Sequence, residues 1–484
     1  MAGIGVRLNK IFSKNTITTN LMGFGYSTVI TIAPMFLVIA CVTLMQVFLG
    51  FSGLGYAQRE LYSCTVLYIF IFALLTASPF NAVLSRYMSD VIYEEWYEDI
   101  LPCYYVGLIM NLVLSCAAGI PFCIREYIVG EVELPFVFAG YCGYTSLVLV
   151  FYSMLYLSIC KDYQKISIFF LIGMAASLLL SLFFVYVINM SVTYAMLIAL
   201  DIGLMLIASL EFALVKSYFR RNSARYREVL LYFKKNWQLV ATNFLYNLGM
   251  YIHNFVFWTT DLRMVVAESF VSVTTYDMAT CIAMFTNISS SVIFISRVEM
   301  HFHERYKNYS EAVIGGRGMD ISNAKDRMFG QLADELMSLV RIQFIVSTVI
   351  YFLFIIILPQ FGFGGLVMQI YPSLAAGYFI LFIMYAAIIF LYYYNDLNGA
   401  LAVSFIFCVC TMLGAVLATR LTPIWYGIGP VIGATAGWCA AYSRLRYMEK
   451  NIDIHIFCSG SIMKKGHGRK PSNRVYLREN DRKE

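Results

Sequence analysis

About a dozen apolar stretches of roughly 20 residues run through this chain, and nearly all its basic residues fall on alternate connections between them. A hydrocarbon core about 30 Å thick is crossed by about 20 residues in an α-helix. With 60% hydrophobic residues and a mean hydropathy of +0.70, the chain supplies such runs repeatedly. Spans are expected near 21–48, 62–84, 103–124, 136–159, 166–188 and 192–215, then 239–259, 276–296, 340–358, 374–394, 400–419 and 425–443. The fold class is therefore all-α: a polytopic transmembrane helix bundle of about 12 spans.

Charge sets the orientation. With the N-terminus inside, all 35 Lys and Arg except Arg59, Arg125, Arg263 and Arg420 fall on or beside the inner segments. This bias places both termini in the cytoplasm. The net charge of +6 thus reports topology and lipid attraction rather than nucleic-acid binding. Outer connections are short, the longest lying near 261–272, which leaves no room for a catalytic domain on that side. Twelve cysteines are scattered singly, nearly all in apolar runs and without a Cys-x-x-Cys pair, as buried thiols are.

The basic connection 216–238 follows six spans and divides the membrane part into a lobe at 1–215 and a second at 239–443. It is expected to hold an interfacial helix. Two such lobes are a transporter architecture, with the substrate between them. A cytoplasmic loop at 297–339 carries Ile321, Met328, Leu332, Leu336 and Leu339 at helical spacing, and Gly315-Gly316-Arg317-Gly318 reads as a turn. The basic tail 444–484 is expected to be flexible from 451 onward.

Polar groups inside the bilayer are costly, so their positions mark a cavity or a helix contact. Asn243, Asn247 and Asn254 share one stripe of the seventh span, and Thr280, Asn287 and Ser291 repeat the spacing in the eighth. Ser27 and Thr31 in the first span and Asn81 in the second complete the cavity candidates. Amides and hydroxyls exchange donors and acceptors with sugar hydroxyls, and equally with neighbouring helices. Asp201, in the middle of the sixth span, is the candidate for a coupling ion. His253 is expected to be a hydrogen-bonded spacer. His301, His303 and Glu304 do not converge on one point of a helix, so neither metal nor cofactor is expected.

Several segments resemble the PelG family, the inner-membrane transporters of the Pel exopolysaccharide system within the multidrug and polysaccharide flippase (MOP) superfamily. They are Met1-Ala2-Gly3-Ile4-Gly5 with Arg7, and Phe24-Gly25-Tyr26 leading to Pro34. Ser78-Pro79-Phe80 through Ser85-Arg86-Tyr87 and Asp90 is a third. Arg297-Val298-Glu299 with Phe302, Glu304-Arg305-Tyr306 and Tyr309, and Tyr393-Tyr394-Asn395-Asp396, are the others. The resemblance implies export of an amino-sugar-rich polysaccharide received from a cytosolic glycosyltransferase, with companion membrane subunits, across the bacterial cytoplasmic membrane. It implies no enzyme activity. Arg86, Asp90, Arg297, Glu299, Glu304 and Arg305 are then candidates for a cytosolic gate or a partner-docking surface, the latter including Glu94, Glu95, Glu98 and Asp99. The alternatives are a cation-coupled small-molecule exporter of the same fold and a non-transporting scaffold for a polysaccharide synthase.

Overall fold

The computed structural model describes residues 17–94, 96–159, 163–287 and 299–459. In the first half, α1 (Ile17–Phe48), α2 (Tyr56–Tyr93), α3 (Ile100–Ile128), α4 (Leu134–Ile159), α5 (Tyr163–Tyr186) and α6 (Val192–Tyr218) lead to the short α7 (Tyr226–Lys235). The second half runs through α8 (Trp237–Phe257), the hairpin β1 (Met264–Val266) and β2 (Phe270–Ser272), and α9 (Thr274–Asn287). It continues with α10 (Glu299–Gly315), α11 (Gly318–Ile357), α12 (Leu366–Tyr393), α13 (Leu397–Ala418) and α14 (Ile428–Ser459). Among the described residues, eight helices are long and apolar enough to cross a membrane, from Tyr56–Ile92 to Leu397–Ala418, and Ala33–Phe48 is a shorter apolar helix. This is a multi-pass helical membrane protein.

The expected stretches lie largely on helices, but several helices overrun them. α11 is 40 residues long, about 60 Å, so the amphipathic part of the 297–339 loop and the following span form one rod. Asp320 accepts the Arg317 backbone N–H at 3.1 Å and so fixes the start of that rod after the glycine turn. α14 runs unbroken to Ser459, through the segment expected to be the start of a flexible tail. There Asp453 accepts from Tyr309 of α10 (2.8 Å) and from Lys325 of α11 (2.7 Å), which ties these two helices to it.

Buried apolar residues fall into two clusters. One runs from Val38 on α1 to Leu239 at the start of α8. The other runs from Tyr246 on α8 to Ile452 on α14, and it includes Ile71 and Leu75 of α2. α2 therefore packs on both, with α4 on one side and α8 on the other. Small residues let backbones close up within each cluster: Gly203 of α6 lies so near α5 that a Cβ there would sit 2.7 Å from the Gly173 carbonyl oxygen. In the hairpin Val266 pairs with Phe270 across a turn in which Ala267 and Glu268 both take positive φ.

Candidate polar passage and its inner latch

α2 carries a proline, Pro79, inside its length. Pro79 has no N–H to give the Leu75 carbonyl, and the Ser78 hydroxyl donates to that oxygen instead at 3.2 Å. Beside this point the half-buried Asn243 of α8 donates its amide to the Ser78 carbonyl at 3.1 Å. One turn further along, Asn247 is also half-buried and donates to the Asn243 carbonyl at 2.9 Å. Asn243 of α8 thus faces α2 at this level.

Asn254 behaves differently. It is buried and donates to Asp277 Oδ1 at 2.6 Å and toward Thr280 Oγ1 at 3.4 Å. Asp277 also accepts from the Trp258 indole and, at 3.1 Å, from the Val273 backbone, so its carboxylate is enclosed by four donor contacts. Asn287 is fully buried: it donates to the Ala283 and Ala375 carbonyls and accepts from Ser347 at 2.7 Å. Asn254, Thr280 and Asn287 therefore serve helix packing inside the second cluster. His253 stands between the hydroxyls of Tyr276 (2.8 Å) and Tyr378 (3.2 Å), the spacer expected for it.

Asn81 is half-buried on α2, and among the described residues its Oδ1 has no partner. Ser27 and Thr31 lie on α1, with side chains outside what is described; Ser291 and Arg297 lie outside the described residues altogether. Glu299 and Glu304 lie on α10, their side chains likewise undescribed, and Arg305 on the same helix is exposed. Asp201 is 7% exposed in the middle of α6, its Oδ1 unpartnered among the described residues. Gly143 of α4 makes room for it, since a Cβ there would collide with that oxygen.

Where α2 meets the α12–α13 corner the chain builds a latch. Asn395 takes the left-handed conformation (φ 59°) directly after α12, and the Asp396 N–H returns to the Leu391 carbonyl, a helix stop that Asn tolerates. Asp396 then starts α13 by accepting from the Gly399 N–H at 3.1 Å. Their side chains reach away in two directions: Asn395 Oδ1 accepts from Arg86 of α2 at 2.5 Å, and Asp396 accepts from Arg444 of α14 at 2.9 Å. Asp90, one turn beyond Arg86, accepts from the Tyr232 hydroxyl of α7 at 2.7 Å. Burial and the Asp90 carboxylate together push that hydroxyl's pKa up. A cavity of about 310 Å³ opens here, lined by Arg86, Tyr232, Lys235, Gln238 and Asn395. The acidic stretch after Asp90 is also engaged, Glu98 pairing with Arg221 at 3.2 Å.

Among the described residues, buried acids outside the sequence expectations include Asp277, Glu211 and Glu126. Asp277 starts α9; Glu211, fully buried on α6, has neither carboxylate oxygen partnered among the described residues; and Glu126 lies in the last turn of α3. Each sits near the end of an apolar run, where hydropathy does not distinguish a buried acid from a loop charge.

The fold is that of the MATE transporters of the MOP superfamily. A MATE crystal structure in the bent conformation matches with a TM-score of 0.59 and 13% identity, over 89% of this chain and 96% of that one. The bent form of the Vibrio cholerae MATE transporter VcmN gives 0.57 and 12% over 89% and 97%. An inward-facing multidrug resistance MATE family transporter gives 0.56 and 12% over 88% and 99%. No curated protein matches the chain. The family model PelG, described as "Putative exopolysaccharide Exporter (EPS-E)", matches residues 1–457. A MATE-like bundle matched over nearly its whole length by that model is a transporter and not an enzyme, and the chain belongs to the PelG family of exopolysaccharide exporters.

Proposed function

We propose that the chain carries a Pel-like, amino-sugar-rich polysaccharide across the bacterial cytoplasmic membrane through a polar passage between two lobes of six spans each, 1–215 and 239–443. Both termini are cytoplasmic, and 216–238 is the linker. The observation that carries this reading is the contact of Asn243 on α8 with the Ser78 carbonyl of α2, which turns this amide toward the other half of the chain. Amides there can exchange hydrogen bonds with sugar hydroxyls when α2 and α8 separate. Arg86, Asn395, Asp90 and Tyr232 form the cytoplasmic gate of the passage, and Asp201 holds the coupling ion.

The substrate arrives from a cytosolic glycosyltransferase, with companion membrane subunits around it. Because Asp90 and Glu98 are engaged within the chain, the gate role fits the 86–99 segment better than docking does. Replacing Asn243 and Asn247 together by Leu tests the passage. Secretion is expected to fall to background while membrane insertion stays normal; secretion at the wild-type level would refute the assignment. Asn254 is left out of this variant because its loss would strip a donor from buried Asp277.

A further inference from the structure

A second cavity, of about 220 Å³, lies among α2, α3 and α4 and is roofed by Phe270 of the hairpin. Its walls are aromatic. Tyr68, Phe122 and Phe270 touch one another with ring centroids 5.0–5.6 Å apart, and Phe72 and Tyr141 extend the surface. Hydroxyls at its edge are committed elsewhere: Tyr68 bonds both the N–H and the carbonyl of Val271, Tyr144 pairs with Thr76, and Tyr141 donates to Cys116.

Glu126 is the exception. It is 5% exposed, while its neighbours Arg125 and Tyr127 are exposed. Among the described residues, its Oε1 has no hydrogen-bond partner, and no Lys, Arg or His makes an ion pair with it. Its place in the last turn of α3 adds the unfavourable end of the helix dipole. A buried carboxylate without a donor is an unsatisfied site, and aromatic faces around it attract cations.

We propose that this cavity binds a protonated amine carried on a ring-sized apolar body, Glu126 accepting the ammonium N–H and the rings of Tyr68, Phe122 and Phe270 holding the rest. The site is separate from the α2–α8 amides and does not rest on the polysaccharide reading. Since Phe270 comes from the second half of the chain, an occupant touches both halves at the hairpin end of the bundle.

The test is equilibrium binding of phenethylamine, with 2-phenylethanol as its uncharged counterpart, to the purified full chain in phosphatidylcholine nanodiscs. Saturable binding of the amine is expected, at least about tenfold tighter than that of the alcohol, and weakened about tenfold or more by the isosteric Glu126→Gln. Ala118→Phe, which fills the cavity and leaves the carboxylate in place, is expected to abolish it. Replacing part of the lipid by phosphatidylethanolamine separates the sources: competition identifies a lipid amine as an occupant, and unchanged binding restricts the site to free amines. Equal binding of amine and alcohol, undiminished binding in Glu126→Gln, or undiminished binding in Ala118→Phe would each overturn the proposal.

Discussion

Arg86 joins α2 to the α12–α13 corner through one charge-assisted hydrogen bond, of a kind worth about 1.5–3 kcal/mol. If that bond holds the cytoplasmic end closed, Arg86→Ala is expected to shift the open population about tenfold or more, read as faster thiol labelling of a cysteine placed at Asn398 on the cavity wall. Asn254→Leu acts on a different property. It leaves Asp277 short of a donor, and a loss of about 1–3 kcal/mol is expected, measured as a lower unfolding midpoint in detergent. The spacing of Asn243, Asn247 and Asn254 correctly places them on one stripe of a helix. It does not reveal that Asn243 would meet α2 while Asn254 is absorbed into its own half, because periodicity defines a face and not its neighbour. Glu126 was illegible for a related reason: the hairpin at 264–272 brings Phe270 to the cavity that Glu126 lines, and no pattern in the sequence announces that cover.

At the level of elements, hydropathy windows locate the helices well and their ends poorly. The windows stop where charges begin, whereas α11 and α14 continue past them, their charged turns paired across helices, as at Lys325 and Asp453. That pair is partly exposed, so Asp453→Ala is expected to cost under about 1 kcal/mol and to appear as faster amide exchange in 318–330 rather than as global unfolding. The α5–α6 contact is far less forgiving. Gly203→Leu forces a side chain against the Gly173 carbonyl, and a destabilisation of about 1–3 kcal/mol or failure to accumulate in the membrane is expected, checked by fluorescence-detected size exclusion. An unchanged elution profile and midpoint would show that these helices are free to separate.

For the whole molecule, the two buried clusters and the position of α2 between them suit a bundle whose halves part along α2 and α8. The span pattern made the helical bundle legible; the shared helix α2 was not, since a single sequence carries no record of which helices touch one another. Coupling is separable from passage. Asp201→Asn is expected to abolish the dependence of export on an ion gradient while leaving the folded bundle intact, and retained gradient dependence would remove Asp201 from that role.

Passage itself is tested most directly by placing the full chain in vesicles with the glycosyltransferase on one side and measuring how much new polymer reaches the other. Polymer is expected on the far side with the wild-type chain and at background with the Asn243→Leu, Asn247→Leu variant at equal synthesis. Polymer confined to the synthase side with the wild-type chain, or crossing equally well with the variant, would contradict a polar passage between the halves.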